Sequence, residues 1–449
     1  MSTITVDFSK RLGKIKPMHA VNNGPVHKFS VHQRISNLDA FIEAGIPYAR
    51  NHDASFCAAY GGNHTVDVNF IFPDFDADPT DPASYDFACT DHYMKVHEAA
   101  GVKPFYRLGT RIEHEVKKYN TLPPKDFGKW AIVCEHIIKH YNEGWADGMH
   151  MGIEYWEIWN EASSAEDDAA PEKKCSWGGT AAEFYEFFRV AFTHLKERFP
   201  HLKIGGPAVN TLFHRGTWVD GYFRALGDLR PDFFSWHCYG ADIAKMRDAI
   251  RLAQDFMKRH GHEGAESILN EWNYIKAWDG DGFVQSLRTI KSLKGAAFVA
   301  ATMLMSQYEP VDMLMYYDAR PSAWNCLFST DMVCDRLKGY YPFAMFNRLY
   351  TLGTAVAVSS DDEDLYAAAA TGDGHAVMLT YYSDDDQLPE KTVTVEMKHI
   401  PKGAHLEIYR LDETYNADLW CREPIDPLSP TVTVAMPLYT SLLLKLVKD

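Results

Sequence analysis

Two short segments of this 449-residue chain set an amide beside a carboxyl and a tryptophan: Trp159-Asn160-Glu161 and Asn270-Glu271-Trp272. Each closes an apolar run that favours β-structure, Tyr155-Trp-Glu-Ile-Trp in one case and Ser267-Ile-Leu in the other. A carboxyl at the end of such a strand must be solvated, paired or used, because burying an isolated charge is too costly. A single Glu of this kind is as readily a structural ion pair at a rim as a catalyst. Two Asn-Glu pairs tip the balance toward chemistry. The reaction that needs them is cleavage of an acetal. One carboxylic acid protonates the departing oxygen, and one carboxylate meets the oxocarbenium-like centre. Mutual repulsion and burial then hold one acid protonated while the other stays ionised.

The elements that must bring the two pairs together can be read from alternation along the chain. Strand candidates fall at 15–20, 45–51, 103–108, 153–159, 202–207, 232–239, 265–272 and 311–317. Helical stretches separate several of them. Trp130, Val133, Cys134, Ile137, Ile138 and Tyr141 recur at a helical period. Thr180-Ala-Ala-Glu183 reads as a capping box ahead of Phe184, Phe188, Phe192 and Leu195. A third helix runs from Asp242 to near Gly261, with Met246, Ile250, Ala253 and Met257 on one side. Eight strands alternating with helices predict a (β/α)8 TIM barrel over 14–350. The doubly wound alternative lacks the G-x-G-x-x-G turn of its dinucleotide-binding form. In a barrel the strand ends that carry both Asn-Glu pairs lie on the catalytic face. After residue 350 the texture changes to short β-rich runs at 355–358, 366–370, 376–382, 392–397, 406–411, 431–435 and 441–447. These predict an appended C-terminal antiparallel β-sandwich over 351–449. The strand-like residues 1–13 are expected to pair into it.

Composition closes off other classes. The aromatic content of 13% supplies ample surface to bury, which excludes disorder as the main state. The longest apolar stretch, 295–305, falls well short of the roughly 18–20 residues of a membrane span, so no membrane association is expected. A net charge of −16 argues against a nucleic-acid partner and makes a neutral small molecule the easier ligand. The N-terminus lacks a basic and then apolar leader, and the eight cysteines include no CxxC pair. Both features lead us to expect a cytoplasmic protein with reduced thiols. No cofactor is expected. No metal is expected either, since the nearest zinc-like motif, His114-Glu-Val-Lys-Lys118, has Lys where the second ligand should be His. No Gly-x-Ser-x-Gly elbow is present.

Together with Arg50-Asn-His52 after strand two and His237-Cys-Tyr239 at the end of strand six, the two Asn-Glu motifs resemble glycoside hydrolase family 39, the retaining clan A family of β-xylosidases and α-L-iduronidases. The resemblance runs through the barrel in order and includes the appended β-domain. It implies Glu161 as acid/base, Glu271 as nucleophile and Asn160 as donor to the sugar 2-OH. Arg50 and His52 would hold Glu271 ionised or touch the sugar. His237 and Tyr239 would flank the pair, with Tyr239 donating to Glu271. The expected activity is that of a retaining exo-glycosidase on short oligosaccharides, most simply a β-xylosidase. The alternatives are another sugar (glucoside, galactoside, arabinoside or uronide) or a catalytically silent sugar-binding barrel. The family follows Trp-Asn-Glu with Pro-Asn. This chain instead has Ala162-Ser163 and an acidic insert reaching Gly179, which would wall the sugar cleft. Trp324 is the favoured stacking platform, with Trp177 and Trp278 as further candidates. Only one of Tyr316 and Tyr317 can face the barrel mouth. Phe105 and Arg107 are open between barrel filling and the site. A small carbohydrate is the expected partner, and a homo-oligomer is possible.

Overall fold

The structure is a computed structural model describing residues 2–448 apart from 30–33, 58–60, 331–333, 402 and 427. The side chain of Cys57 lies outside the described residues. Eight parallel strands close into a barrel in chain order: Ala20–Asn22, Tyr48–Arg50, Lys103–Leu108, Tyr155–Ile158, Lys203–Val209, Phe233–Gly240, Glu266–Tyr274 and Met313–Tyr316. The eighth pairs with the first through Met315 and Ala20, so the barrel has no open edge.

The first strand departs most from expectation, starting at Ala20 rather than residue 15. Pro17 has no N–H to give a ladder, and the Ile15 N–H is taken by the Gly353 carbonyl at 2.8 Å. Inside the barrel, Ala20, Phe105, Tyr155, Phe233, Ile268, Met313 and Met315 form an apolar plug. Phe105 is therefore barrel filling. Arg50, Glu157, Ser235 and Asn270, all fully buried, carry the interior's polar network.

The helices start where their caps dictate. Phe127–Glu143 opens on the Asp126 carboxylate, which accepts from Lys129 N–H at 2.9 Å. Ala181–Arg198 opens on a complete capping box. Thr180 Oγ1 accepts from Glu183 N–H, and the Glu183 carboxylate accepts from Thr180 N–H at 2.7 Å. Such a cap stabilises a helix by about 1 kcal/mol. Ile243–Arg259 starts at Asp242, whose carboxylate accepts from Ala244 N–H at 2.8 Å. The apolar run at 295–305 lies in Leu293–Ser306, a helix buried nearly all round. It packs into one core with Ala368, Ala370, Ala376 and Met378 of the second domain, so no face needs polar residues. Among the described residues no helix is long and apolar enough to cross a membrane.

The second domain is one hydrogen-bonded sheet of nine strands. Its order is Asn416–Pro424, Ala404–Leu411, Ser441–Lys448, His375–Tyr381, Leu365–Thr371, Thr354–Ser360, Ser2–Lys14, Lys391–Lys398 and Thr431–Met436. The N-terminal strand makes the sheet mixed: it lies antiparallel to Thr354–Ser360 and parallel to Lys391–Lys398. Its alternate residues Ile4, Val6 and Phe8 join a single core with Val356, Val395, Ile408, Val434 and Leu444. One strand, Asn416–Pro424, escapes the sequence reading because it is largely exposed and carries no alternating apolar face.

Candidate active site

Both Asn-Glu pairs reach the same end of the barrel, but local backbone irregularities aim them. After strand four, Trp159 and Glu161 adopt φ of +72° and +51°, and Ala208 after strand five has φ +55°. Left-handed backbone at non-glycine residues costs about 1–3 kcal/mol each and persists only where its surroundings enforce it. Here the Glu161 N–H donates to the Ala208 carbonyl at 3.0 Å, and Trp159 N–H donates to Leu108 O at 2.6 Å. Gly109, at φ +151°, lies against this turn, and a Cβ there would approach Trp159 Cα at 3.2 Å. Between strands six and seven, a register shift after Trp236 brings His237 opposite Glu271. Bulges of this kind re-aim side chains beside active sites.

The result is a compact set of titratable groups. Single ligating atoms of Glu161, His237 and Glu271 all lie within 4.8 Å of one another. His237 Nδ1 is 2.7 Å from Glu161 Oε1 and 3.5 Å from Glu271 Oε2. Glu271 Oε1 accepts from Arg50 Nη1 at 2.7 Å, and its Oε2 accepts from Tyr239 Oη at 2.7 Å. Glu161 is 16% exposed and Glu271 6% exposed. Burial pushes Glu161 up to about 7, against the pull of Arg50 and with a further push from Asp53. Burial raises Glu271 as well, but His237, Arg50 and the Tyr239 hydrogen bond oppose it there. Among the described residues a guanidinium touches Glu271 and not Glu161, which favours the ionised form of Glu271 over that of Glu161. Burial lowers His237 to about 4, leaving it neutral. Its Nε2 is buried without a hydrogen-bond partner among the described residues. A hydrogen on Nδ1 would be donated to Glu161 Oε1, whereas a hydrogen on Nε2 would leave Nδ1 to accept from the protonated Glu161 carboxyl.

Glu161, His237 and Glu271 could in principle surround a cation. A metal would need ligands at about 2.0–2.6 Å, yet both Glu271 oxygens are already engaged and Arg50 places a positive charge against them. The set suits proton chemistry better than metal ligation.

Beneath the pair lies a group that the strand-end reading passed over. Glu157 is fully buried and accepts from Arg50 Nε at 2.7 Å, Ser235 Oγ at 2.6 Å and Asn270 Nδ2 at 2.5 Å. Arg50 thus spends Nε on Glu157, Nη1 on Glu271 and Asn22, and Nη2 on Asn160 Oδ1 at 2.6 Å. The signal in sequence was a charged residue inside an otherwise apolar strand, Tyr155-Trp-Glu157-Ile, where burial demands a partner. Glu157 is thus linked to Glu271 through Arg50. Glu157→Gln is expected to free Arg50 toward Glu271 and move the acidic limb of the kcat/KM profile down by roughly half to one pH unit. A merely structural role would lower stability and leave that limb in place.

The remaining expected residues divide. His52 is buried beside the site but does not touch Glu271. Its Nε2 lies 3.4 Å from Asn160 Nδ2 and 3.7 Å from Asp53 Oδ1, and burial lowers its pKa. Arg107 supports the rim by donating to Asp67 at 2.7 Å and to the His52 carbonyl at 2.8 Å. Tyr317, not Tyr316, faces the mouth and donates to Asp53. Tyr316 packs against Trp272 and Phe343. Trp324 is half-buried, 5.9 Å from Tyr239 and 5.8 Å from Tyr317 between ring centres. Trp177 is no platform. It is buried against Trp159, Phe184 and Phe187, and its indole N–H donates to Thr180 O at 2.9 Å. Asp53, Tyr317 and Arg320 form a cluster that the sequence did not announce, because they converge from strand ends far apart in the chain.

A (β/α)8 barrel with two carboxyl groups facing each other at its mouth has the arrangement that acetal cleavage requires. The family model described as "Glycosyl hydrolases family 39" matches residues 63–273. Two curated β-xylosidases are similar. That of Caldicellulosiruptor saccharolyticus is 26% identical over 54% of this chain and 47% of its own length. That of Geobacillus stearothermophilus is 24% identical over 43% of this chain and 37% of its own. Over residues 63–273, a little under half of its length, the chain is thus similar to glycoside hydrolase family 39. It spans about half or less of the length of those curated relatives. Among solved structures, a glucosidase from Croceicoccus marinus shares the fold at TM-score 0.79 and 20% identity, covering 100% of this chain and 99% of that one. A monomeric β-xylosidase from Caulobacter crescentus does so at TM-score 0.71 and 16% identity, over 100% of both chains.

Proposed function

We propose that the protein is a retaining exo-glycosidase, most simply a β-xylosidase, working by double displacement. The observation that carries this reading is the approach, to within 4.8 Å, of one carboxyl oxygen of Glu161 to one of Glu271. Retaining enzymes place their carboxyl groups about 5–5.5 Å apart and inverting ones about 6.5–9.5 Å apart. Glu161 gives its proton to the leaving oxygen as that oxygen's bond to the anomeric carbon breaks. Glu271 forms the new bond to the anomeric carbon from the opposite face. In the second half, Glu161 takes a proton from water, whose oxygen displaces Glu271 and restores the configuration. Asn160 has its carbonyl oxygen engaged by Arg50, so its Nδ2 is presented as the donor to the sugar 2-OH.

A neutral sugar fits the charge at the rim. Arg320 donates to the Asp53 carbonyl at 3.0 Å and sits 3.5 Å from Asp318, so its charge is matched by neighbouring carboxylates rather than offered to a uronate. The xyloside preference leans on the curated relatives. A cytoplasmic setting is consistent with the buried thiols of Cys134, Cys238 and Cys326. A panel of 4-nitrophenyl glycosides tests the assignment, with the anomeric configuration of the first-formed sugar followed by NMR. Release of xylose as the β-anomer first is expected; release of the α-anomer, or of no sugar from any member, ends the proposal.

The two carboxyls also fix a pH profile. Activity on kcat/KM requires Glu161 protonated and Glu271 ionised, so the profile is a bell. Its descending limb falls near pH 7, where Glu161 loses its proton. Rates measured from pH 4 to 9 check this.

A further inference from the structure

A cleft of about 800 Å³ opens beside the catalytic pair, within the size range of small-ligand sites. Its lining includes Glu161 but not Glu271. The proton donor must stand beside the leaving oxygen, so space that touches the acid and not the nucleophile is space on the leaving-group side. Asn210 and Phe213, from the loop after strand five, line it together with Trp278 from the loop after strand seven. Phe213 and Trp278 are 41% and 59% exposed. Trp278 is also in ring contact with Tyr239 at 5.3 Å and Trp324 at 6.0 Å, which extends the aromatic wall of the sugar site outward into the cleft. Ser163, one of the residues that depart from the family pattern, bonds to Asn210 at 3.1 Å and shapes this wall. The charged liners are Asp242, Asp248 and Lys245, with the Lys245 ammonium already donating to Tyr239 O at 2.8 Å.

Building on the glycosidase reading, we propose that this cleft binds the leaving group, with Trp278 as a stacking platform for an uncharged ring (an aryl alcohol or a neutral sugar), and that its carboxylates disfavour anionic leaving groups. Aromatic contact supplies affinity for a flat or ring-shaped aglycone. Two carboxylates against one committed ammonium repel a carboxylated one, more weakly as salt screens them.

The test compares a glycosyl fluoride, whose leaving group is too small to reach Trp278, with the phenyl glycoside of the same sugar. Trp278→Ala is expected to lower kcat/KM for the phenyl glycoside about tenfold more than for the fluoride. Phe213→Ala, across the cleft and away from Tyr239, should repeat the difference more weakly. Wild-type enzyme should also prefer a 4-carbamoylphenyl leaving group over its 4-carboxylatophenyl counterpart severalfold, a gap that Asp248→Asn and added salt narrow. Proportional losses on fluoride and phenyl substrates in both variants would overturn the cleft's assignment while leaving the glycosidase reading intact. Wild-type protein that turns over neither substrate would overturn both.

Discussion

Replacing Glu271 by alanine is expected to lower kcat/KM on an aryl β-xyloside by on the order of 10⁴- to 10⁶-fold, the scale set by removing a covalent nucleophile. Folding should survive. Arg50 keeps its bonds to Glu157, Asn22 and Asn160 and is not left as an unpaired buried charge. The vacated space beside Arg50 suits a small anion. Azide added to the variant should attack the anomeric carbon from the nucleophile's side while Glu161 still protonates the departing oxygen. One displacement then replaces two, and the product is the glycosyl azide of inverted configuration. NMR of that product distinguishes the roles directly. Undiminished turnover in the variant, or an azide adduct of retained configuration, would remove Glu271 as nucleophile.

Replacing Glu161 by alanine divides substrates by leaving group. Those with a poor leaving group, such as xylobiose, should lose about 10²- to 10⁴-fold, the usual contribution of general acid catalysis. A dinitrophenyl glycoside needs no proton and should still transfer its sugar to Glu271. The glycosyl-enzyme then accumulates because no base activates water, and a burst of phenolate precedes slow turnover. The descending pH limb near 7 should vanish with the side chain that sets it.

The same acid bears on stability. Its pKa is raised from 4.5 to about 7 in the folded protein, so the native state holds a proton that the unfolded chain has lost across that interval. Wild-type stability therefore falls as pH rises through this window, by up to about 3 kcal/mol in all. Glu161→Gln should match wild type near pH 4 and exceed it at pH 8. Denaturant titrations at the two pH values check the sign, and equal stabilities at pH 8 would show that burial does not strain this carboxyl.

Much of this molecule was written in local pattern. The barrel strands were legible because parallel strands buried on both faces read as short apolar runs, and the helix starting at Ala181 because Thr180 and Glu183 form a box within four residues. The first strand was misplaced because Pro17 and the pull of Gly353 act against an otherwise strand-like run. Trp177 stayed open between platform and core because an aromatic in a loop looks the same in sequence whether it faces a ligand or packs against Phe184 and Phe187.

The sequence by itself determined which side chains were available: two carboxyls, each preceded by an amide and following an apolar run, in a chain whose alternation permits a closed barrel. What only tertiary structure decided is how those carboxyls differ. Glu161 and Glu271 are the same residue, each preceded by an asparagine, yet burial raises one to about 7 while the other meets a guanidinium. That difference comes from Arg50, His237, Tyr239 and Glu157, brought from strands two, six and four into a water-poor barrel mouth. Coulomb and desolvation energies depend on distances through space and on burial, neither of which spacing along a chain can express.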